Sequence, residues 1–168
     1  MTVLKEGNLE LTLPPGVRGR RFDDHNHGLS HCMKAVDFIV EEADRVLFIE
    51  FKDPDHPHAE PKARNAFLKE LLLGGKDDDF VRKYRDSFLY RWAENVAEKP
   101  IFYYVLIAAS QLDEAQLLAR TDALKRKLPV DGPESGAWKR QIVAGCAVFN
   151  LDTWNKHLPQ YPVKRVNV

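Results

Sequence analysis

The sequence has no excess of charge of either sign, its 25 lysines and arginines being matched by 25 aspartates and glutamates. That balance excludes a protein that coats nucleic acid through bulk electrostatics, while leaving room for a local basic patch. Cysteine is scarce: Cys32 and Cys146 stand far apart and in no CxxC pair. A disulfide scaffold and a thiolate zinc site are thereby excluded, and reduced thiols in a cytoplasmic protein are expected. No apolar run approaches the roughly 20 residues that cross a bilayer. The opening stretch MTVLKEGNLE has no signal-peptide apolar region, so no membrane partner is expected. Internal repeats and low-complexity segments are also lacking.

What is present suits one globular domain spanning 1–168, with 44% hydrophobic residues to build its core. Charge is distributed unevenly: up to Leu117 there are sixteen Lys/Arg against twenty-one Asp/Glu, and from Leu118 onward nine against four. Asn8 to Leu13 alternates as a strand and stops at Pro14-Pro15-Gly16; a basic stretch with Arg18, Arg20 and Arg21 and a polar loop from Asp23 to Cys32 follow. Ala35 to Val40 and Val46 to Phe51 flank the charged turn Glu41 to Asp44 and predict an antiparallel hairpin. Helices are expected over Pro61 to Leu73 and Phe80 to about Ala97, the second capped by Asp77-Asp78-Asp79 and buried along Phe80, Tyr84, Phe88 and Trp92 with Val81, Leu89 and Val96. The uninterrupted run Ile101 to Ala109 reads as a central strand covered on both faces. A helix to about Leu128, a strand over Gln141 to Phe149 and a short helix over Leu151 to Leu158 complete the order. An antiparallel meander followed by strand-helix-strand crossovers predicts an α/β fold, a mixed β-sheet with helices on its faces.

The hairpin carries the sharpest signal, because Asp37, Glu50 and Lys52 interrupt strands that are otherwise apolar. Burying an unpaired charge costs far more than an apolar contact returns, so these groups either reach solvent or serve a site. With Glu41 to Asp44 as the loop, Val40 faces Arg45 and Asp37 faces Phe48. Alternation then puts Asp37, Glu50 and Lys52 on one face, and Val36, Phe38, Val40, Leu47, Ile49 and Phe51 on the other. Two carboxylates converging on one face suit a hard divalent cation, Mg2+ with Mn2+ as substitute, with the Phe51 carbonyl as a third ligand. Lys52 beside them could orient or deprotonate an attacking water, or neutralise charge on a phosphate.

Asp37 followed by Glu50-Phe51-Lys52 resembles the PD-(D/E)xK nuclease superfamily, of restriction-endonuclease-like fold. The resemblance extends from Ala35 to about Phe149. It implies a metal-dependent endonuclease acting on a nucleic acid, here DNA, with Asp37 and Glu50 holding metal and Lys52 assisting hydrolysis. Val36 stands where the family name has proline. No helix precedes the hairpin to supply the family's further acidic residue, for which Glu10 is the candidate. The family places polar or basic residues on the following helix, which nominates Lys83, Ser87 and Arg82 as substrate contacts. A neutral chain of this size would gain reach on a duplex as a homodimer.

Other residues support rival readings. A non-catalytic nucleic-acid-binding or assembly module could keep the same fold. His25, His27 and His31, with Cys32 or Asp24, could form a transition-metal site of a hydrolase, and His56 and His58 lie just past Lys52. Arg120, Lys125, Arg126, Lys127, Lys139 and Arg140 could receive a phosphate backbone, with Trp138 stacking on a base.

Overall fold

The computed structural model describes residues 1–166; among them the chain forms eight β-strands, four α-helices and one short 3-10 turn. Strands β3 (Arg18–Arg21), β4 (Phe38–Glu41) and β5 (Val46–Lys52) form an antiparallel meander. Strands β6 (Ile101–Ile107) and β7 (Gly145–Phe149) extend it in parallel, giving one sheet in the order β3-β4-β5-β6-β7. Parallel neighbours need crossover connections. These are α1 (Pro61–Leu72) with α2 (Asp77–Ala93) between β5 and β6, and α3 (Glu114–Lys127) between β6 and β7. Strands β1 (Thr2–Glu6), β2 (Leu9–Leu13) and β8 (Val163–Arg165) form a second, antiparallel sheet, and α4 (Leu151–His157) follows β7.

Local chemistry fixes where the helices start. Pro61 opens α1, where a missing N–H costs nothing. Asp77, Asp78 and Asp79 occupy the first turn of α2, at the positive end of its dipole. Asp113 and Gln116 close a reciprocal capping box on α3, as Asn150 and Thr153 do on α4.

The five-stranded sheet is covered on both faces. Ile39, Phe48, Tyr103 and Val105 pack under Leu71, Phe80, Tyr84, Leu117 and Leu124 of the three long helices. Phe38, Leu47, Ile49 and Leu106 pack on the opposite side against Leu9, Leu11 and Leu13 of β2 and Trp154 of α4. Each such side chain contributes about 1.5–3 kcal/mol of burial, so β5 and β6 form a rigid platform for anything at their C-terminal ends. This bears out the expected α/β class and the mixed sheet.

Four expectations require correction. Strands β1, β3 and β8 were not anticipated; Arg18-Gly19-Arg20-Arg21 has no apolar alternation and is a strand because its backbone pairs with β4. The hairpin turn is Glu42 to Arg45, closed by Glu42 N–H donating to the Arg45 carbonyl at 2.9 Å and by a 2.8 Å ion pair between Arg45 Nε and Glu42 Oε2. Val40 therefore faces Leu47, and Phe38 faces Ile49. The register differs from expectation by two residues, an even number, so the side chains keep their faces. Val36 precedes β4 and joins the helix-side core, away from Phe38. Helix α2 ends at Ala93, short of the expected Ala97; Leu89 and Trp92 on it and Val96 beyond it are exposed, and the inward row is Phe80, Tyr84, Ser87 and Arg91. A four-residue step overshoots the 3.6-residue turn by about 40° each time, which carries Trp92 out to solvent and turns Lys83, Ser87 and Arg91 inward.

Candidate functional site

Extending the β4–β5 register one pair beyond Phe38 and Ile49 sets Asp37 opposite Glu50. Both lie at the C-terminal edge of β5, on the face covered by α2, and both are buried, with 4% and 0% exposure. Three anchors hold Asp37. Its carbonyl accepts from Phe22 N–H at 2.8 Å, where β3 ends; its Oδ2 accepts from Phe51 N–H at 2.6 Å; and Ser87 Oγ, from α2, accepts from the preceding Val36 N–H at 3.0 Å.

Glu50 Oε1 receives two ammonium groups, Lys52 at 2.6 Å and Lys83 at 2.7 Å. Its Oε2 is buried with no hydrogen-bond partner. Lys83 Nζ also lies 3.9 Å from Asp37 Oδ1 and 3.8 Å from Asp23 Oδ2. Three carboxylates from three different segments thus face one cation. Lys52 is the partly exposed member, at the rim.

Burial governs the proton affinities. It pushes Asp37 up to about 6, against the charge of Lys83 and the Phe51 N–H. Glu50 is pushed up to about 7 by burial and by the like charge of Asp37, which Lys52 and Lys83 oppose without overcoming. For Lys83, burial disfavours the charged form, but the fields of Glu50 and Asp37 outweigh it and raise its proton affinity. Both carboxylates therefore hold a proton more readily than in water, with two lysine ammonium groups beside them.

The donor set fits a hard divalent cation. Asp37 and Glu50 supply oxygens, and Glu50 Oε2 lacks a partner that a cation would provide. Lys52 C=O accepts from Ala108 N–H on the β6 side. Polar groups of successive strand residues alternate in direction, so the Phe51 carbonyl points to the Asp37 side. Among the described residues no cluster of three or more His, Cys, Asp or Glu is arranged to hold a metal, so water would complete such a shell, as Mg2+ prefers.

No family model, curated protein or solved structure matches the chain.

Of the residues nominated from the sequence, Asp37, Glu50, Lys52 and Lys83 come together, and Ser87 buttresses them from beneath. Arg82 instead faces solvent beside Asp86 at 3.7 Å. Glu10 lies in the second sheet, paired with Lys5 at 2.6 Å and Lys164 at 3.3 Å, and so is not part of the cluster. Asp23 joins the cluster through Lys83, at 3.8 Å. Its place depends on β3, which the apolar pattern does not reveal.

The remaining candidates disperse. His27 Nδ1 accepts from Leu29 N–H at 3.1 Å, and its ring packs on Phe22 and Tyr90, so the His25–His27 turn presents no converged ligand set. Arg120 and Lys127 are engaged by Asp77 and Asp78. Trp138 covers Gly132, and Arg140 bonds the Ala97 carbonyl. That loop lies at the N-terminal ends of the parallel strands, at the other end of the sheet from Glu50.

Proposed function

We propose that the chain is a metal-dependent nuclease of restriction-endonuclease-like architecture that hydrolyses phosphodiester bonds of DNA. One observation carries the reading: Asp37, just before β4, and Glu50, near the end of β5, converge on one face of the sheet with the ammonium of Lys52 against Glu50. Asp37, Glu50 and the Phe51 carbonyl would hold the Mg2+, which when bound supplies Lewis-acid polarisation of the scissile phosphate and a more acidic water. Lys52, at the solvent rim, orients the attacking water and neutralises negative charge that builds on the phosphoryl oxygens. Lys83 favours the ionised forms of the buried carboxylates, against the burial that raises their proton affinity. The antiparallel meander, the crossover helices and the order of the parallel strands agree with the resemblance.

The test is cleavage of plasmid and oligonucleotide DNA with Mg2+ or Mn2+ by the wild-type chain and by Lys52→Ala. Equal activity in the two proteins sinks the mechanism.

A second reading has its own observation. Lys83, between Glu50 and Asp37, and Lys52 on Glu50 together match the charge of the two carboxylates, as expected of a buried ion cluster kept for shape in a nucleic-acid-binding or assembly module. That module would bind no Mn2+ through Asp37 and Glu50, which calorimetry on Asp37→Asn decides.

A further inference from the structure

Strand β3 is an outer strand of the five-stranded sheet, at the opposite side from β7, and ends where Phe22 N–H bonds the Asp37 carbonyl. Its residues Arg18 and Arg20 pair across from Glu41 and Ile39. Between them, a Cβ added at Gly19 would meet Leu13, Leu4 and Val40, on the side of the second sheet. Alternation therefore puts Arg18 and Arg20 on the opposite face, the one that carries Asp37 and Glu50, about 6.6–6.8 Å apart along the strand.

Both arginines are exposed. Among the described residues neither guanidinium takes part in an ion pair or hydrogen bond, and Arg20 rests 5.0 Å over the Phe22 ring. Arg21, by contrast, is held by Glu6 at 2.6 Å and by the Lys5 carbonyl. The carboxylate across from Arg18 is also engaged, because Glu41 Oε1 takes Arg91 at 2.6 Å. A groove of about 390 Å³ runs along this edge, lined by Val17, Arg18, Gly19, Arg20 and Glu41. Uncommitted positive charge thus stands in a row that leads to the buried carboxylates.

We propose that β3 is a phosphate-binding edge, on which Arg18 and Arg20 hold successive phosphates of a nucleic-acid strand and direct it towards the Asp37–Glu50 site. The proposal rests on the nuclease reading for the class of ligand, and it adds the surface that the neutral net charge left unassigned. Arginine suits the role because its planar fork matches phosphate oxygens and stays charged at every working pH. Charged side chains on an edge strand also discourage pairing with a second sheet, so the experiment separates the two roles.

Fluorescence anisotropy with labelled single-stranded and duplex oligonucleotides, in EDTA and over a series of salt concentrations, tests the proposal. Arg18→Ala/Arg20→Ala should bind the preferred form on the order of tenfold or more weakly at 0.1 M salt, with the slope of log K against log salt reduced by about 1.4–1.8. Lys156→Ala/Lys164→Ala, which removes two exposed charges from α4 and β8, should leave that slope unchanged. An unchanged slope in the β3 variant, or an equal loss in both variants, overturns the proposal. So does a β3 variant that aggregates while its monomer binds as wild type, since the arginines then only guard the edge. Cleavage separates the two ideas: arginine-dependent binding without Mg2+-dependent cleavage removes the nuclease reading alone, and cleavage at unchanged KM in the β3 variant removes the binding edge alone.

Discussion

Lys83 places its ammonium 2.7 Å from Oε1 of Glu50, a carboxylate with no solvent exposure. Removing one partner of a buried ion pair leaves an uncompensated charge, at a cost of about 3–5 kcal/mol. Lys52 remains bonded to the same oxygen, so Lys83→Met should fall at the lower end of that range in urea unfolding. Glu50→Gln combined with Lys83→Met should recover most of the loss, because neither charge is then stranded. Two single losses that merely add in the double variant would show that the pair is not coupled.

The same burial sets a pH dependence. Both carboxylates titrate at about 4 in an unfolded chain, whereas Asp37 is pushed up to about 6 and Glu50 to about 7 in the fold. The folded chain therefore binds more protons across that interval. The stability these groups contribute is fully present below about pH 4 and is lost as pH rises through 6 and 7. Urea midpoints of the wild type, compared with Asp37→Asn/Glu50→Gln, should show this fall only in the wild type. Millimolar Mg2+ should reverse it at pH 7.5 by favouring the ionised carboxylates. Parallel pH curves for the two proteins would refute the assignment.

How much of this was legible in the sequence depends on what each feature is made of. The hairpin declares itself because Phe38 to Val40 and Val46 to Ile49 are apolar, and the even parity of its turn suffices to put Asp37 and Glu50 on one face. The pairing of Asp37 with Glu50 was not legible. It depends on the Glu42–Arg45 ion pair and on Tyr161, whose hydroxyl donates to Glu42 at 2.6 Å from 119 residues away. Strand β3 is held by backbone hydrogen bonds, which leave no apolar imprint, and Asp23 stayed hidden with it. Lys83 was legible only as a polar residue on the helix after β5. That it points inward follows from the helical pitch once Phe80 and Tyr84 are fixed in the core.

Lys52 and Asp37 should separate chemistry from binding. Lys52→Ala leaves Lys83 on the same Glu50 oxygen, so it should cost no more in urea unfolding than Lys83→Met does, while cleavage falls by about 10²–10³. Asp37→Asn should abolish both cleavage and Mn2+ binding. Calorimetry and a plasmid-nicking assay on the same samples check this. A Lys52→Ala protein that loses Mn2+ binding in full would make that lysine structural.

Ser87 offers a test of whether the support beneath Asp37 matters in its own right. Its buried hydroxyl accepts from Val36 N–H at 3.0 Å, one residue before the carboxylate, and Ser87→Ala leaves that N–H unpaired at a cost of about 1–3 kcal/mol. Thr121 makes the same kind of bond elsewhere, accepting from Val148 N–H at 2.9 Å between α3 and β7, so Thr121→Val is a matched control of similar expected cost. If Ser87 positions Asp37, Ser87→Ala should weaken Mn2+ binding severalfold while Thr121→Val leaves it unchanged at equal loss of stability. Equal metal affinity in the two variants would reduce Ser87 to a packing residue. A selective loss would show that the α2 row bearing Lys83 and Ser87 sets the geometry of the carboxylates as well as their charge.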